Sequence, residues 1–198
     1  MSTAVITAAG RPAFLPDDGP VGTVCIDGTW SAVTVPARWG HHVVDVLGDC
    51  TGPVFHDPGL RHLAWIVPPG GGADWPDASA AGVRVHGSGD VLFVPGPEGY
   101  YDGTRWLRPP TDATALTDPA ALRAAVEFII GPLAEAAQLG PVHVCWYCRT
   151  VTRDGLVIDW YTSPSGPGAV RHSCRRCWAR TVRGEDAPHL RAVREGPR

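Results

Sequence analysis

Apolar residues in this chain fall in short clusters, separated by glycine, proline and acidic residues. Val21 to Ile26 reads as a strand closed by the turn pair Asp27-Gly28, and Trp30 to Val35 alternates as a second strand. Pro36 then opens a helix in which Trp39, Val43, Val46 and Leu47 recur at helical spacing, with Gly48 as its stop. Gly52 to Phe55, His62 to Val67, Val83 to His86 and Val91 to Val94 read as further strands, and Trp106-Leu107 as a last short one. Pro68 to Asp74 and Pro95 to Gly103 read as loops. After a polar stretch, Asp118-Pro119 suits a helix start, because Asp can cap and Pro fits the first helical turn. Leu122, Ala125, Val126, Ile129, Ile130 and Leu133 form one apolar stripe, read as core packing, and Gly131-Pro132 should kink or split that helix.

This pattern predicts an α+β fold: a small mixed or antiparallel sheet with flanking helices, followed by a C-terminal zinc ribbon. The expected divisions are a flexible tail over 1–20, an α/β domain over 21–110, a linker and kinked helix over 111–140, the ribbon over 141–182, and a flexible tail over 183–198, with a short helix from His189 to Val193. The linking helix is expected to dock the two parts together.

Composition adds turns and a charge asymmetry. The 198 residues include 24 Gly and 20 Pro, which favours short elements, and 44% are hydrophobic, enough for a packed core. All 17 basic residues are Arg; a Lys-free chain rich in Ala, Gly and Pro points to a GC-rich genome such as that of an actinomycete. Residues 1–140 carry 7 Arg against 15 acids, a net of −8, whereas residues 141–198 carry 10 Arg against 5, a net of +5. A basic half is a pointer to an anionic partner. The first 20 residues lack a basic stretch followed by a long apolar run, and no window reaches 18 apolar residues, so neither a signal peptide nor a membrane span is expected. The expected location is cytoplasmic, where paired cysteines read as metal ligands before disulfides.

The clearest chemistry is Cys145-x2-Cys148, then 25 residues, then Cys174-x2-Cys177. Two intervening residues allow a tight turn that aims both sulfurs at one ion, and two such turns supply the four-thiolate shell that structural Zn²⁺ prefers. Leu156 to Tyr161 and Ala169 to His172 read as a hairpin around Gly166-Pro167-Gly168, which would bring the pairs together. With the shell complete, His143 and His172 read as surface or supporting residues, and the ion has no open position at which to activate water. Cys25 and Cys50 belong to no motif and read as apolar filler. Trp146, Tyr147, Arg149, Arg171, Arg175 and Arg176 surround the pairs; arginine beside flat rings suits base stacking and phosphate pairing, so these six are candidate nucleic-acid contacts. In a module with almost no core, the same aromatics can instead pack around the metal while the arginines are solvated.

The strand with Asp27, the helix, Val54-Phe55, Gly59 to Trp65, Gly82 to Pro95 and Gly103 to Trp106 follow one another in an order that resembles the N-terminal domain of the bifunctional DNA primase/polymerase family, within the archaeo-eukaryotic primases. The resemblance implies a nucleotidyl-transfer site in which carboxylates two residues apart share divalent metals. Asp27 matches the first carboxylate and His62 the family's histidine, but Thr29 and Arg84 stand where the other carboxylates belong. The implied relative is therefore inactive and shortened, with Asp27, His62, Arg84 and His86 as remnants or a ligand pocket. The cysteine segment, with its Ser165-Gly166-Pro167-Gly168 turn, is also similar to short four-cysteine zinc ribbons of actinomycetes. There is no phosphate-binding loop, no nucleophile elbow and no His-Glu-x-x-His motif. The sequence reads as a non-enzymatic zinc-ribbon protein binding nucleic acid or a protein partner, in regulation or replication. The alternatives are a nucleotidyl-transfer enzyme using Asp27, His62 and Asp57, or a structural adaptor.

Overall fold

The computed structural model describes residues 11–97, 99–111, 115–139, 141–163 and 166–182. The expectations for residues 1–10 and for the tail after Val182, including the helix at His189, lie outside the described residues. The fold is α+β with antiparallel strand pairing, and the chain divides into two compact units, Met1–Leu139 and Gly140–Arg198.

The first unit runs β1 (Val21–Cys25), β2 (Ser31–Pro36), α1 (Ala37–Leu47), β3 (Val54–Asp57), β4 (His62–Val67), β5 (Arg84–His86), β6 (Val91–Pro95), β7 (Tyr100–Tyr101), β8 (Thr104–Arg108), α2 (Pro119–Ile130) and α3 (Ala136–Leu139). Six strands form one sheet in the order β5-β2-β4-β3-β8-β7, while β1 and β6 pair as a separate ribbon. Asp27-Gly28 therefore carries the chain from one sheet to the other instead of closing a hairpin.

The sheet is covered on both faces, which explains why β4 is buried along nearly its whole length. On one face α1 presses against Val35 and Leu63. A Cβ at Gly40 would lie 2.8 Å from Val35 Cγ2 and 3.1 Å from Leu63 Cδ1, so glycine permits the approach. On the other face Ala32, Ala64, Ile66 and Phe55 pack with Leu92 and Val94 of the ribbon and with Ile26 and Trp30. Phe14, Leu15 and Leu116 complete this cluster. Phe14 meets Trp30 edge-on with ring centres 6.1 Å apart, and Trp106 at 6.2 Å. Residues 11–20, expected as part of a loose tail, thus contribute a core aromatic, and the expected linker contributes Leu116 and the buried Thr117.

Helix ends follow local chemistry. The first N–H of α1, at Ala37, donates to the carbonyl of Arg61 at 2.8 Å, and Gly48, at φ 52°, donates back to Val44 O. Asp118 caps α2 by accepting from Ala121 N–H at 2.8 Å, with Pro119 in the first turn. Gly131 (φ 83°) ends α2, and the chain resumes after Pro132 as a tight turn and α3. Leu122, Ala125, Val126 and Ile130 are buried, and α2 packs on α1 within the first unit. The segment read as a linker helix is thus part of that unit.

Strand β7 lies in the stretch expected to be a loop. Asp102 (φ 47°) and Gly103 (φ 84°) both adopt positive φ, the conformation of a tight hairpin turn joining β7 to β8. The sheet ends on its two shortest strands, three residues in β5 and two in β7.

The second unit runs β9 (His143–Val144), β10 (Val151–Thr152), β11 (Leu156–Ser163), β12 (Gly166–Ser173) and α4 (Arg175–Val182). Strands β9 and β10 form a small hairpin, and β11 pairs with β12. The expected Gly166-Pro167-Gly168 turn is a correction: Gly166 already pairs with Ser163, and the three residues belong to β12.

Candidate metal centre

The β9–β10 hairpin makes the first half of the site. Cys145 N–H donates to Thr150 O at 2.9 Å, and Arg149 N–H returns to Cys145 O at 3.0 Å. Arg149 sits at φ 61°, the left-handed conformation that lets the chain turn back directly after Cys148. The second half is a helix terminus. Cys174 precedes α4, its sulfur accepts from Cys177 N–H at 3.5 Å, and its carbonyl accepts from Trp178 N–H at 3.0 Å. Cys174 therefore caps the helix, and Cys177 projects from the first turn. The two halves are tied by Trp146 N–H donating to His172 O at 2.7 Å.

The four sulfurs lie within 4.8 Å of one another, and all four cysteines are free thiols. Cys148 Sγ and Cys174 Sγ are 3.9 Å apart. Four sulfurs held tetrahedrally at ~2.3 Å from a centre would be about 3.8 Å apart. Cys145 and Cys177 are buried, while Cys148 is exposed.

Burial and backbone N–H groups act on the thiols in opposite directions. Burial pushes the Cys145 thiol up, but backbone N–H groups at Cys148, Cys174 and Tyr147 outweigh it and bring the group down to about 6. Burial raises Cys174, and burial together with the crowding of the other three cysteines raises Cys177 strongly. Burial therefore works against the thiolate form at Cys174 and Cys177. A metal ion reverses that balance, since coordinating thiols are deprotonated outright. Among the described residues this is the cluster of Cys, His, Asp or Glu whose donor atoms converge in this way. His143 and His172 stand outside it and stack on each other with ring centres 3.8 Å apart.

Of the six candidate nucleic-acid residues, three form one stack. The guanidinium of Arg171 lies 4.1 Å from the Trp146 ring centre, and that of Arg149 at 5.0 Å. Arg171 also pairs with Asp159 at 3.2 Å, and Arg175 with Asp154 at 3.3 Å. Tyr147 is half-buried in the knuckle between the first two ligands. Arg176 is exposed on α4 and shares a face with Arg180, while Trp178, 39% exposed, lies on another side of the helix. Arginine charge close to the four-cysteine cluster is thus partly answered within the unit, and Arg176 and Arg180 on α4 make no ion pair with a described residue.

In the first unit, His62, Arg84, His86 and Asp57 line one cavity between the sheet and β6. Asp27 does not line it: its carboxylate accepts from Thr29 N–H at 2.9 Å and Thr29 Oγ1 at 2.6 Å, closing a local turn that holds the acid ionised. The structure therefore joins His62 to Arg84 and separates Asp27 from both. Helix α4 and its cysteine cap are the functional elements the sequence reading missed. The signal was the spacing Cys174-x2-Cys177 itself, which also fits the first turn of a helix. Neither a protein family, a characterised protein nor a solved structure matches the chain.

Proposed function

We propose that the second unit is a structural zinc module and that the protein works by binding, with a nucleic acid as its ligand. The observation that carries the metal reading is the convergence of four free thiols, two on a β-turn knuckle and two on a helix start. An all-thiolate shell is the chemistry of structural zinc and leaves no position for a substrate or water. Such a site suits a reducing compartment, in keeping with a cytoplasmic location.

The nucleic-acid reading is supported by α4, where the exposed Arg176 and Arg180, four residues apart, present two cations on one face. Neither arginine is ion-paired with a described residue. Two cations one helical turn apart suit the phosphates of a nucleic-acid backbone. Metal analysis of the purified chain, run with an electrophoretic shift assay at low salt, tests both halves. One zinc per chain with salt-sensitive binding is expected, weakened in Arg176→Gln and Arg180→Gln. Zinc without binding to single- or double-stranded nucleic acid would remove the nucleic-acid half and leave a protein partner. The absence of zinc would remove the module.

Kinship with the primase/polymerase family would supply nucleotidyl transfer as a second reading, with His62 and Asp57 at one cavity. It needs Asp27, which is engaged elsewhere. Metal-dependent nucleotide incorporation that is lost in Asp27→Ala would restore it.

A further inference from the structure

The cavity in the first unit is independent of the metal. Its floor is the sheet face of β2, β4 and β3, where Thr34, Ala64 and Phe55 lie side by side in register. Its opposite wall is β6, through Val91, Leu92 and Phe93. The space is about 280 Å³, just below the range of drug-sized sites, so its occupant is small.

The polar groups are unevenly placed. Arg84 lies at the β5 side, and no carboxylate among the described residues pairs with it. Beside it His86 Nε2 is 2.9 Å from Thr34 Oγ1, which fixes that ring against the floor. Asp57 lies at the β3 side, held by accepting from Leu60 N–H at 3.0 Å. Two strands separate β5 from β3, so these ends are about 14 Å apart along the backbone. His62, between them, is pushed below its ordinary value by burial and then by Arg84; His86 is pushed down by burial, with Arg84 adding to it. Among the residues lining the cavity this leaves one guanidinium at one end and one carboxylate at the other, with Asp90 outside it at 4.0 Å from His86 Nδ1 and opposing the downward shift there.

This arrangement selects among ligands. A guanidinium fork without a partner matches a carboxylate in bidentate fashion. A dianion such as phosphate would meet only one positive charge and would also feel Asp57. The hydrocarbon surfaces of Phe55, Ala64 and Leu92 favour an apolar body. A divalent cation is not favoured, because His62, His86 and Asp57 do not converge as the cysteines do. We propose that this cavity binds a small monocarboxylate with an apolar body, its carboxylate on Arg84 and its hydrocarbon part against Phe55, Ala64 and Leu92.

The test is calorimetric titration of the full, zinc-loaded chain with 3-phenylpropanoate, its neutral amide and inorganic phosphate. Saturable binding of the carboxylate is expected, with the amide about tenfold weaker or worse and phosphate not binding. Arg84 is exposed, so Arg84→Gln should fold, as circular dichroism will verify. That variant should lose about tenfold in affinity for the carboxylate and keep the parent's affinity for the amide. Arg84→Lys, which retains the charge without the fork, should fall between. Arg105→Gln, outside the cavity, should match the parent. The proposal is overturned if the carboxylate fails to bind at about 10 mM, far above the range of a built site. Equal binding by Arg84→Gln and parent, or displacement of the carboxylate by phosphate, would overturn it too.

Discussion

Removing the metal should unfold the second unit and leave the first intact. Among the described side chains of the second unit, the buried hydrophobic positions are Val142, Cys145 and Cys177. Two of these three belong to the four-cysteine cluster. Burying one valine contributes about 1.5–3 kcal/mol. A structural four-ligand zinc contributes on the order of 10–16 kcal/mol of apparent binding energy at neutral pH. The metal term exceeds what the described buried side chains contribute by several-fold, so folding of the unit and metal binding are expected to be one equilibrium. The first unit has its own core of large buried side chains, among them Trp30, Trp39, Trp65, Phe14 and Leu122. Hydrogen exchange read by mass spectrometry separates the two units. With zinc bound, the amides of Cys145 and Trp146, which donate to Thr150 O and His172 O, should be protected. After chelation they should exchange freely, while the Ile66 amide, which donates to Pro53 O at 3.0 Å, keeps its protection. If the two cysteine-knuckle amides stayed protected once the metal was shown to be gone, the unit would have a hidden core and the argument would fail.

Three further outcomes follow from the first unit. Asp118→Ala removes the cap on α2 and should cost about 1 kcal/mol in urea unfolding, within a range of roughly 0.5–2. Gly52→Ala should destabilise by about 1–3 kcal/mol or more, because the new Cβ would lie 2.5 Å from Thr117 N and 2.6 Å from Ala115 O, and backbone cannot swing aside as a side chain can. A Gly52→Ala melting temperature equal to the parent's would contradict that packing. Burial depresses His62 and His86 from their ordinary value of 6.5, so the unfolded chain takes up protons that the folded chain refuses. The stability they support is complete above 6.5 and is lost as the pH falls toward their folded values. Urea midpoints should therefore drop between about pH 7.5 and pH 5.5, and a replacement of either histidine by Gln should flatten that slope.

Short-range chemistry was readable from the chain. Asp118-Pro119, Gly48 and the two Cys-x2-Cys pairs act over a few residues, and each performs in the structure the local task its spacing suggests. Helix α4 escaped because it is eight residues long and carries Arg175, Arg176 and Arg180, so polar residues outweigh its short apolar side. Strand β7 escaped because two residues give no alternation to follow, although Asp102-Gly103 favours the turn that joins it to β8. Phe14 was hidden in a Pro- and Asp-rich stretch, where one aromatic gives no period to follow. The cavity lay beyond sequence reading for a different reason. Its walls come from five strands, and the pairing of β1 with β6 that builds one of them joins positions about 70 residues apart in the chain, as in Val21 with Pro95.

The two short strands that close the six-stranded sheet bear on how the protein behaves when crowded. A long open edge would offer its backbone to any neighbouring chain and seed aggregates. Here β5 shields β2 over Ala32, Val33 and Thr34, and what lies beyond ends at Pro36, which has no N–H to offer. At the far edge β7 covers Thr104 and Arg105, and Trp106 directs its indole N–H to the carbonyls of Pro95 and Gly96. A stray strand would find only two or three residues to pair with on either side. The six-stranded sheet thus offers a stray strand little backbone at its two outermost strands.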